Sequence, residues 1–153
     1  MTKANRTRRW PAYALAVLFL GYAAGKAVFA AQAKLGFPGG PRVPAAEHER
    51  YAREMMDVAT AQWLAVATGL LCALLVIATV TRVGRRVPRV PMLVALAGVL
   101  VAAGAGAGTM VLDGFIGLGV GWSWYHGIVG IVVVGLLVAT IHSYVVATRR
   151  AAD

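Results

Sequence analysis

Five side chains that could do acid–base chemistry or bind an anion stand at the ends of long apolar segments. They are found in all four such segments of the chain: Lys26, Asp57, Gln62, Asp113 and His126. An ammonium within a membrane is costly unless it is paired, so we expect Lys26 to pair with Asp113 or Asp57. A carboxylate beside an imidazole can exchange a proton, which makes His126, Asp113 and Asp57 the candidate catalytic residues.

An aromatic run adjoins His126 and extends this candidate site. Aromatic rings with a polar edge settle at the membrane–water interface, at the depth expected for the five polar groups. The predicted ligand-binding residues are therefore Lys26, Asp57, Gln62, Asp113, Trp122, Trp124, Tyr125 and His126. Such a pocket would bind an amphipathic molecule, for example a lipid or an isoprenoid.

A purely structural interpretation of the same residues stays open. Lys26 could extend its ammonium to the interface along an apolar stem. Asp57 could pair with Arg53, and His126 could belong to the aromatic belt. The sequence favours neither interpretation decisively, so whether the protein is an enzyme stays open as well.

Metal and haem sites are not expected. His126 and His142 lie near opposite ends of one apolar segment, and the first three apolar segments contain no histidine, so a bis-histidine haem would lack its second ligand. Consecutive residues such as Glu47 and His48 point in different directions on a helix. Cys72 is the single cysteine, which excludes an intramolecular disulfide and a Cys-x-x-Cys redox pair. We predict no cofactor.

Four apolar runs must position these groups, approximately residues 11–31, 58–81, 91–112 and 124–147. About 20 apolar residues in a helix match a hydrocarbon core of about 30 Å. With 59% hydrophobic residues in 153, no room is left for a second domain. The prediction is an all-α, four-helix transmembrane bundle that forms a single integral membrane domain over 1–153.

The charges predict an orientation rather than a nucleic-acid partner, despite a net charge of +9. Ten of the fifteen basic residues flank the apolar runs on one side: Lys3, Arg6, Arg8, Arg9, Arg82, Arg85, Arg86, Arg89, Arg149 and Arg150. By the positive-inside rule, we expect both termini to lie in the cytoplasm. We expect the protein itself to lie in the plasma membrane. Segment 1–33 could also be a cleaved signal peptide, but its apolar run is long and contains Lys26, so we favour a retained anchor.

The segments between the spans have their own signals. Residues 45–57 are expected to be helical and to continue into the second span, with ion pairs Glu49–Arg53, Arg50–Glu54 and Arg53–Asp57. The outer loop 32–57 is thus ordered and partly helical. The short segment 82–90 predicts an antiparallel hairpin of spans two and three.

Two glycine pairs have the spacing of helix-packing faces. Gly21 and Gly25 lie four residues apart in the first span, as do Gly104 and Gly108 in the third. Small residues at this spacing let two helix backbones approach closely. They are candidate contact faces, either within the bundle or with another membrane protein.

Several stretches carry a family resemblance: Gly25-Lys26, Leu35-Gly36-Phe37-Pro38-Gly39, residues 57–63 and Gly84-Arg85-Arg86-Val87-Pro88. Through them the whole chain resembles small four-span integral membrane proteins of actinobacteria, a class mostly without assigned activity. The Gly-Lys pair in the first helix is also similar to DoxX-like four-helix proteins. The resemblance implies a fold and a bacterial membrane location, and it implies no activity.

Three functions are compatible with these features. The first is an accessory or complex-forming membrane subunit, with a membrane-protein partner or a second copy of the chain. The second is an enzyme or binding protein for an amphipathic ligand at the outer polar site. The third is a small transporter, which the fixed charge bias and the absence of a mid-membrane acid disfavour.

Overall fold

A computed structural model describes residues 9–149, without the side chain of Arg85, and contains five α-helices in that range. They are α1 Trp10–Ala31, α2 Ala45–Glu54, α3 Val58–Ala78, α4 Arg89–Ile116 and α5 Trp124–Arg149. A 3₁₀ turn, Gly84–Arg86, precedes α4, and the described residues contain no strand. The all-helical prediction is confirmed. Of the basic residues used for the orientation, Lys3, Arg6, Arg8 and Arg150 lie outside the described residues.

Helices α1, α3, α4 and α5 are long and apolar enough to span a membrane. Their bounds agree with the predicted spans to within four residues, the largest difference being at the end of α4. Pro11 opens α1, where its missing N–H costs nothing. Gly117 ends α4 in the left-handed conformation, with φ of 78°.

The bundle consists of two antiparallel pairs. Helix α1 packs mainly on α3, α4 packs on α5, and the pairs meet chiefly along α1 and α5. Helices α3 and α4 are joined by a short connection, as expected, yet they touch at few points. The core includes Leu15, Cys72, Val76, Val99 and Leu137, all buried, with contributions from each of the four long helices.

The two ends of the bundle differ, and each is named here by its composition. The loop end carries residues 32–57 and 117–123. The arginine end carries residues 79–88, the start of α1 and the end of α5. A small apolar cluster of Met92, Leu96 and Tyr144 closes the core at the arginine end.

Close contacts between helices occur at glycines other than the predicted pairs. A Cβ atom on Gly69 would lie 3.0 Å from Tyr22 and 3.2 Å from the Cβ of Ala23, so Gly69 lets α3 approach α1. A Cβ on Gly130 would lie 2.5 Å from the carbonyl oxygen of Ala107, so Gly130 does the same for α5 and α4. The predicted faces do not pack in this way: across the described residues, a Cβ on Gly21, Gly104 or Gly108 would meet nothing within 4 Å.

Candidate functional site: a capped polar cluster at the loop end

The segment between α1 and α2, residues 32–44, folds back over the loop end and is called the cap segment here. It turns at Ala33, whose φ is +48°, and the Lys34 amide donates to the carbonyl of Phe29 at 2.9 Å. Gly36 and Gly39 follow with φ of +110° and +78°, conformations that favour glycine. Three prolines in this segment have no N–H and disfavour regular secondary structure, so the backbone carbonyls of the cap segment can accept bonds from side chains.

Side-chain donors from two spans meet on these carbonyls. Lys26 Nζ of α1 donates to the Gly36 oxygen at 2.9 Å. Gln62 Nε2 of α3 donates to the oxygens of Lys34 and Gly36, at 2.7 and 3.1 Å. Because Gln62 is only 2% exposed, these bonds satisfy an amide that burial would otherwise leave unpaired.

Two histidines complete the set. His126 Nε2 of α5 lies 3.0 Å from the Gly39 oxygen, and the Ser123 amide donates to His126 Nδ1 at 3.2 Å. Because Nδ1 accepts the Ser123 amide, Nε2 is the nitrogen that donates to the Gly39 oxygen. His48 Nε2 of α2 lies 3.0 Å from the Ala33 oxygen. Four side chains from four helices therefore hold the cap segment by its backbone.

Aromatic contacts seat the cap segment. The Phe37 ring stacks on Tyr22 with centroids 5.8 Å apart, and it lies directly against Gly25. Trp122 lies against Gly40, and its ring is edge-on to His126 at 4.8 Å between centroids. The helix-spaced Gly25 is thus a seat for Phe37 rather than a helix-packing position.

The two candidate catalytic carboxylates, Asp57 and Asp113, stabilise a helix start and a turn. Asp57 caps the start of α3, where its Oδ2 accepts from the amide and the hydroxyl of Thr60, each at 2.9 Å. These two bonds, the amide first, hold the pKa of Asp57 below its ordinary value. Asp113 is buried and accepts from the amides of Val120 and Trp122, so it fixes the turn between α4 and α5.

These placements replace the expected ion pairs. No carboxylate in the described part of the chain lies within 4 Å of Lys26 Nζ, so the pairing with Asp113 or Asp57 does not form. Among the helical pairs expected in 45–57, only Glu49–Arg53 comes within this limit, at 3.8 Å with both side chains about 70% exposed. Arg53–Asp57 is absent from the described ion pairs because Asp57 instead caps a new helix, and that cap also interrupts the predicted continuation of α2 into α3.

The cluster therefore divides into two groups. Four residues contact the cap segment: Lys26, Gln62, His126 and Trp122. Asp57 and Asp113 instead accept hydrogen bonds from residues close to them in the chain. Trp124 and Tyr125 are at least half exposed, and their rings contact each other edge-on with centroids 6.1 Å apart. Among the described residues, no group of three histidine, cysteine or acidic side chains has the geometry of a metal site.

Sequence reasoning missed His48, Phe37 and the acceptor role of the cap segment. Gly36 and Gly39, on either side of Phe37, indicate a turn but not what the Phe37 ring contacts. The sequence predicts Lys26 and Gln62 as site residues but does not predict their carbonyl partners, because every residue type has a backbone carbonyl.

Comparison with family models, with curated proteins and with solved structures gave no match to this chain.

Proposed function

We propose that this protein is a subunit of a membrane-protein complex. It associates with a further transmembrane helix through the exposed face of α4. The observation that carries the proposal is the size of the residues on that face. From 101 to 109 the helix reads Val-Ala-Ala-Gly-Ala-Gly-Ala-Gly-Thr, so no position there exceeds valine in bulk.

The exposed positions of this part of α4 pack against no other helix among the described residues. Gly98, Ala102, Ala105 and Thr109 are all exposed and recur at spacings of three and four residues, which places them on one side of α4. A Cβ on Gly98, Gly104, Gly106 or Gly108 would meet nothing within 4 Å among the described residues.

Other exposed faces of the bundle look different. The lipid-accessible side of α3 carries Leu64, Leu70, Leu71 and Leu74, and α5 exposes Ile128, Ile131 and Val132. Bulky aliphatic side chains suit contact with lipid chains, whereas small ones let a second helix approach closely enough for dispersion and weak backbone contacts. Between residues 102 and 109, α4 carries only alanine, glycine and threonine, the composition of a helix–helix interface, whereas Val94 and Leu112 on either side are exposed and bulky.

The test is the size of the protein after mild extraction from native membranes. The double variant Ala102→Leu/Ala105→Leu fills the α4 face, and Ala67→Leu makes the same change at an exposed position of α3. We expect the wild type and Ala67→Leu to migrate in a larger assembly, and the double variant to be released from it. Recovery of a second protein identifies a hetero-complex, and recovery of this chain alone identifies a homo-oligomer. Migration of the wild type as a lone monomer contradicts the proposal.

A second candidate function is the binding of an amphipathic anion at the loop end, and the environment of Lys26 favours it. The Lys26 ammonium has three donors, of which one reaches Gly36, and its Nζ lies 5.7 Å from the centroid of the Tyr22 ring. With no carboxylate of the described residues within 4 Å, its charge is compensated only by dipoles.

The binding candidate is tested with a photoreactive isoprenyl phosphate and the full-length protein in lipid nanodiscs. Lys26→Met should abolish labelling, while Lys34→Met, which removes an exposed ammonium nearby, should leave it unchanged. Equal labelling of wild type and Lys26→Met, or none of the wild type, argues against this function.

A further inference from the structure

One turn of α1 near the loop end carries an apolar slot beside an ammonium. Tyr22, Gly25 and Lys26 are spaced three and four residues apart, so they share one side of the helix. The Phe37 ring lies parallel to the Tyr22 ring to within 10°, and it fits against α1 because Gly25 has no Cβ. Tyr22 and Gly25 together are called the α1 slot here, and Phe37 fills it.

Two consecutive residues of the cap segment occupy both parts of this surface. The Gly36 oxygen accepts from Lys26 Nζ at 2.9 Å, and the next residue, Phe37, places its ring in the α1 slot. A polar acceptor joined to a flat apolar group is also the chemistry of an amphipathic ligand near its head group. The unit of Gly36 and Phe37 thus resembles a ligand that belongs to the chain itself.

The Gly36 oxygen is a weaker partner for an ammonium than an anion would be. A carbonyl offers a dipole, whereas a phosphate or carboxylate oxygen offers a full opposite charge, and water screens that attraction less at a half-buried group. Lys26 is half-buried, and no carboxylate of the described residues lies within 4 Å of its Nζ. An anionic ligand therefore gains more from Lys26 than the cap segment does.

The cap segment is anchored on both sides of this unit, so its middle can move alone. His48 Nε2 lies 3.0 Å from the Ala33 oxygen, and His126 Nε2 lies 3.0 Å from the Gly39 oxygen. The two anchored residues have φ of +48° and +78°, and alanine adopts such a value only at an energetic cost. Between these anchors, residues 35–38 are bound to the spans by the two side-chain donors described above and by the filled α1 slot.

We propose that residues 35–38 occupy the Lys26 site as an internal ligand, which an anionic amphiphile displaces. The amphiphile places its phosphate or carboxylate on Lys26 where the Gly36 oxygen lies, and its tail in the α1 slot where Phe37 lies. The slot holds one ring, so the group next to the anion is an isoprene unit or an aromatic ring. The displacement rests on anion binding at Lys26, the second candidate function above, and it adds the chemistry of the tail and a lid over the empty site.

The test measures amide exchange of residues 35–40 by mass spectrometry, with the full-length protein in lipid nanodiscs. Three probes separate the head from the tail: geranyl phosphate has both, geraniol has the tail alone, and inorganic phosphate has the charge alone. We expect geranyl phosphate to raise exchange in residues 35–40 about fivefold, as for the loss of one hydrogen bond, and the other two probes to leave it unchanged. In Lys26→Met, geranyl phosphate should cause no further rise.

Two variants of the α1 slot distinguish an occupied site from a loosely held loop, with binding measured as displacement of the photoreactive isoprenyl phosphate. Phe37→Ala empties the slot, so it should need about fivefold less geranyl phosphate for half-maximal displacement. Gly25→Ala also releases Phe37 but fills the slot with a methyl group, so it should bind more weakly than the wild type. Leu118→Ala removes an exposed side chain from the other loop and should bind like the wild type.

The outcomes separate the displacement from the binding itself. Labelling of the wild type that depends on Lys26, without a rise in exchange of residues 35–40, keeps the binding function and overturns the displacement. Equal affinities of Phe37→Ala and Gly25→Ala overturn the displacement as well. If neither the wild type nor Phe37→Ala is labelled, both are wrong. The exchange measurement on the wild type requires no variant, so a folding defect in either variant still leaves the displacement open to refutation.

Discussion

Lys26 of α1 and Gln62 of α3 donate to the same oxygen atom, the backbone carbonyl of Gly36, at 2.9 and 3.1 Å. A carbonyl has two lone pairs and accepts both bonds. Two spans and the cap segment are thereby joined at one atom, so the position of the cap segment is coupled to the packing of α1 on α3.

The shared acceptor predicts that loss of the two donors is not additive. Lys26→Met leaves the Gln62 bond in place, and we expect amide exchange in residues 35–40 to rise about fivefold, equivalent to about 1 kcal/mol. Lys26→Met/Gln62→Leu leaves Gly36 without either donor and should cost more than the sum of the single variants. Hydrogen-exchange mass spectrometry of the four proteins measures this. Strict additivity would show that the two side chains act on the cap segment separately.

Gly25 and Gly21 form a matched pair for testing how Phe37 is seated. A Cβ on Gly25 would lie 2.5 Å from Phe37 Cε2, whereas a Cβ on Gly21 would meet nothing within 4 Å among the described residues. Gly25→Ala should therefore displace the Phe37 ring from Tyr22 and increase proteolysis within the cap segment. Gly21→Ala should digest at the wild-type rate. If both variants digest alike, Phe37 does not anchor the segment.

Gly130 and Gly135 test the contact between α4 and α5 in the same way. A Cβ on Gly130 would overlap the Ala107 carbonyl, a backbone atom that cannot rotate away, so Gly130→Ala should destabilise by about 1–3 kcal/mol. Gly135 is exposed, and alanine there should raise stability by about 0.5–1 kcal/mol. Thermal unfolding in detergent gives both values. A Gly130→Ala variant as stable as wild type would mean that the two helices lie further apart.

The low pKa of Asp57 predicts a pH-dependent fraying of α3. A carboxyl whose folded pKa is below its unfolded value stabilises the fold fully above the ordinary range, near 4, and loses that contribution as pH falls through the folded value. The amide of Thr60 should therefore exchange faster, relative to its intrinsic rate, below about pH 4. Asp57→Ala should exchange fast at every pH. A wild-type profile that is flat down to pH 2 would contradict the cap.

Much of the fold could be predicted from the sequence, since an apolar run of membrane length specifies a helix almost unaided. The grouping of Lys26, Gln62 and His126 at one end followed from counting residues along those helices. Their partners could not be predicted in this way. The path of the cap segment depends on left-handed turns at Ala33, Gly36 and Gly39, and Ala33 is a residue type that rarely adopts one.

The glycine spacings did not identify the helix contacts within the bundle, for a related reason. A four-residue spacing indicates that two residues share a helix face, but it does not say what that face meets. Gly25 meets an aromatic ring of the cap segment, and Gly104 meets nothing within 4 Å in the described chain. The glycines at the real helix contacts, Gly69 and Gly130, have no glycine at that spacing on either side.

Burial of the single cysteine gives the wild-type chain a silent background for topology mapping. Cys72 is 7% exposed and packed among aliphatic side chains in the core, so a water-borne maleimide should not reach it. A new thiol from Arg42→Cys, at an exposed position of the cap segment, would report which compartment that segment faces. If the termini are cytoplasmic, the thiol at this position should be labelled in intact cells. A thiol introduced at Arg149 should be labelled only after the cells are lysed.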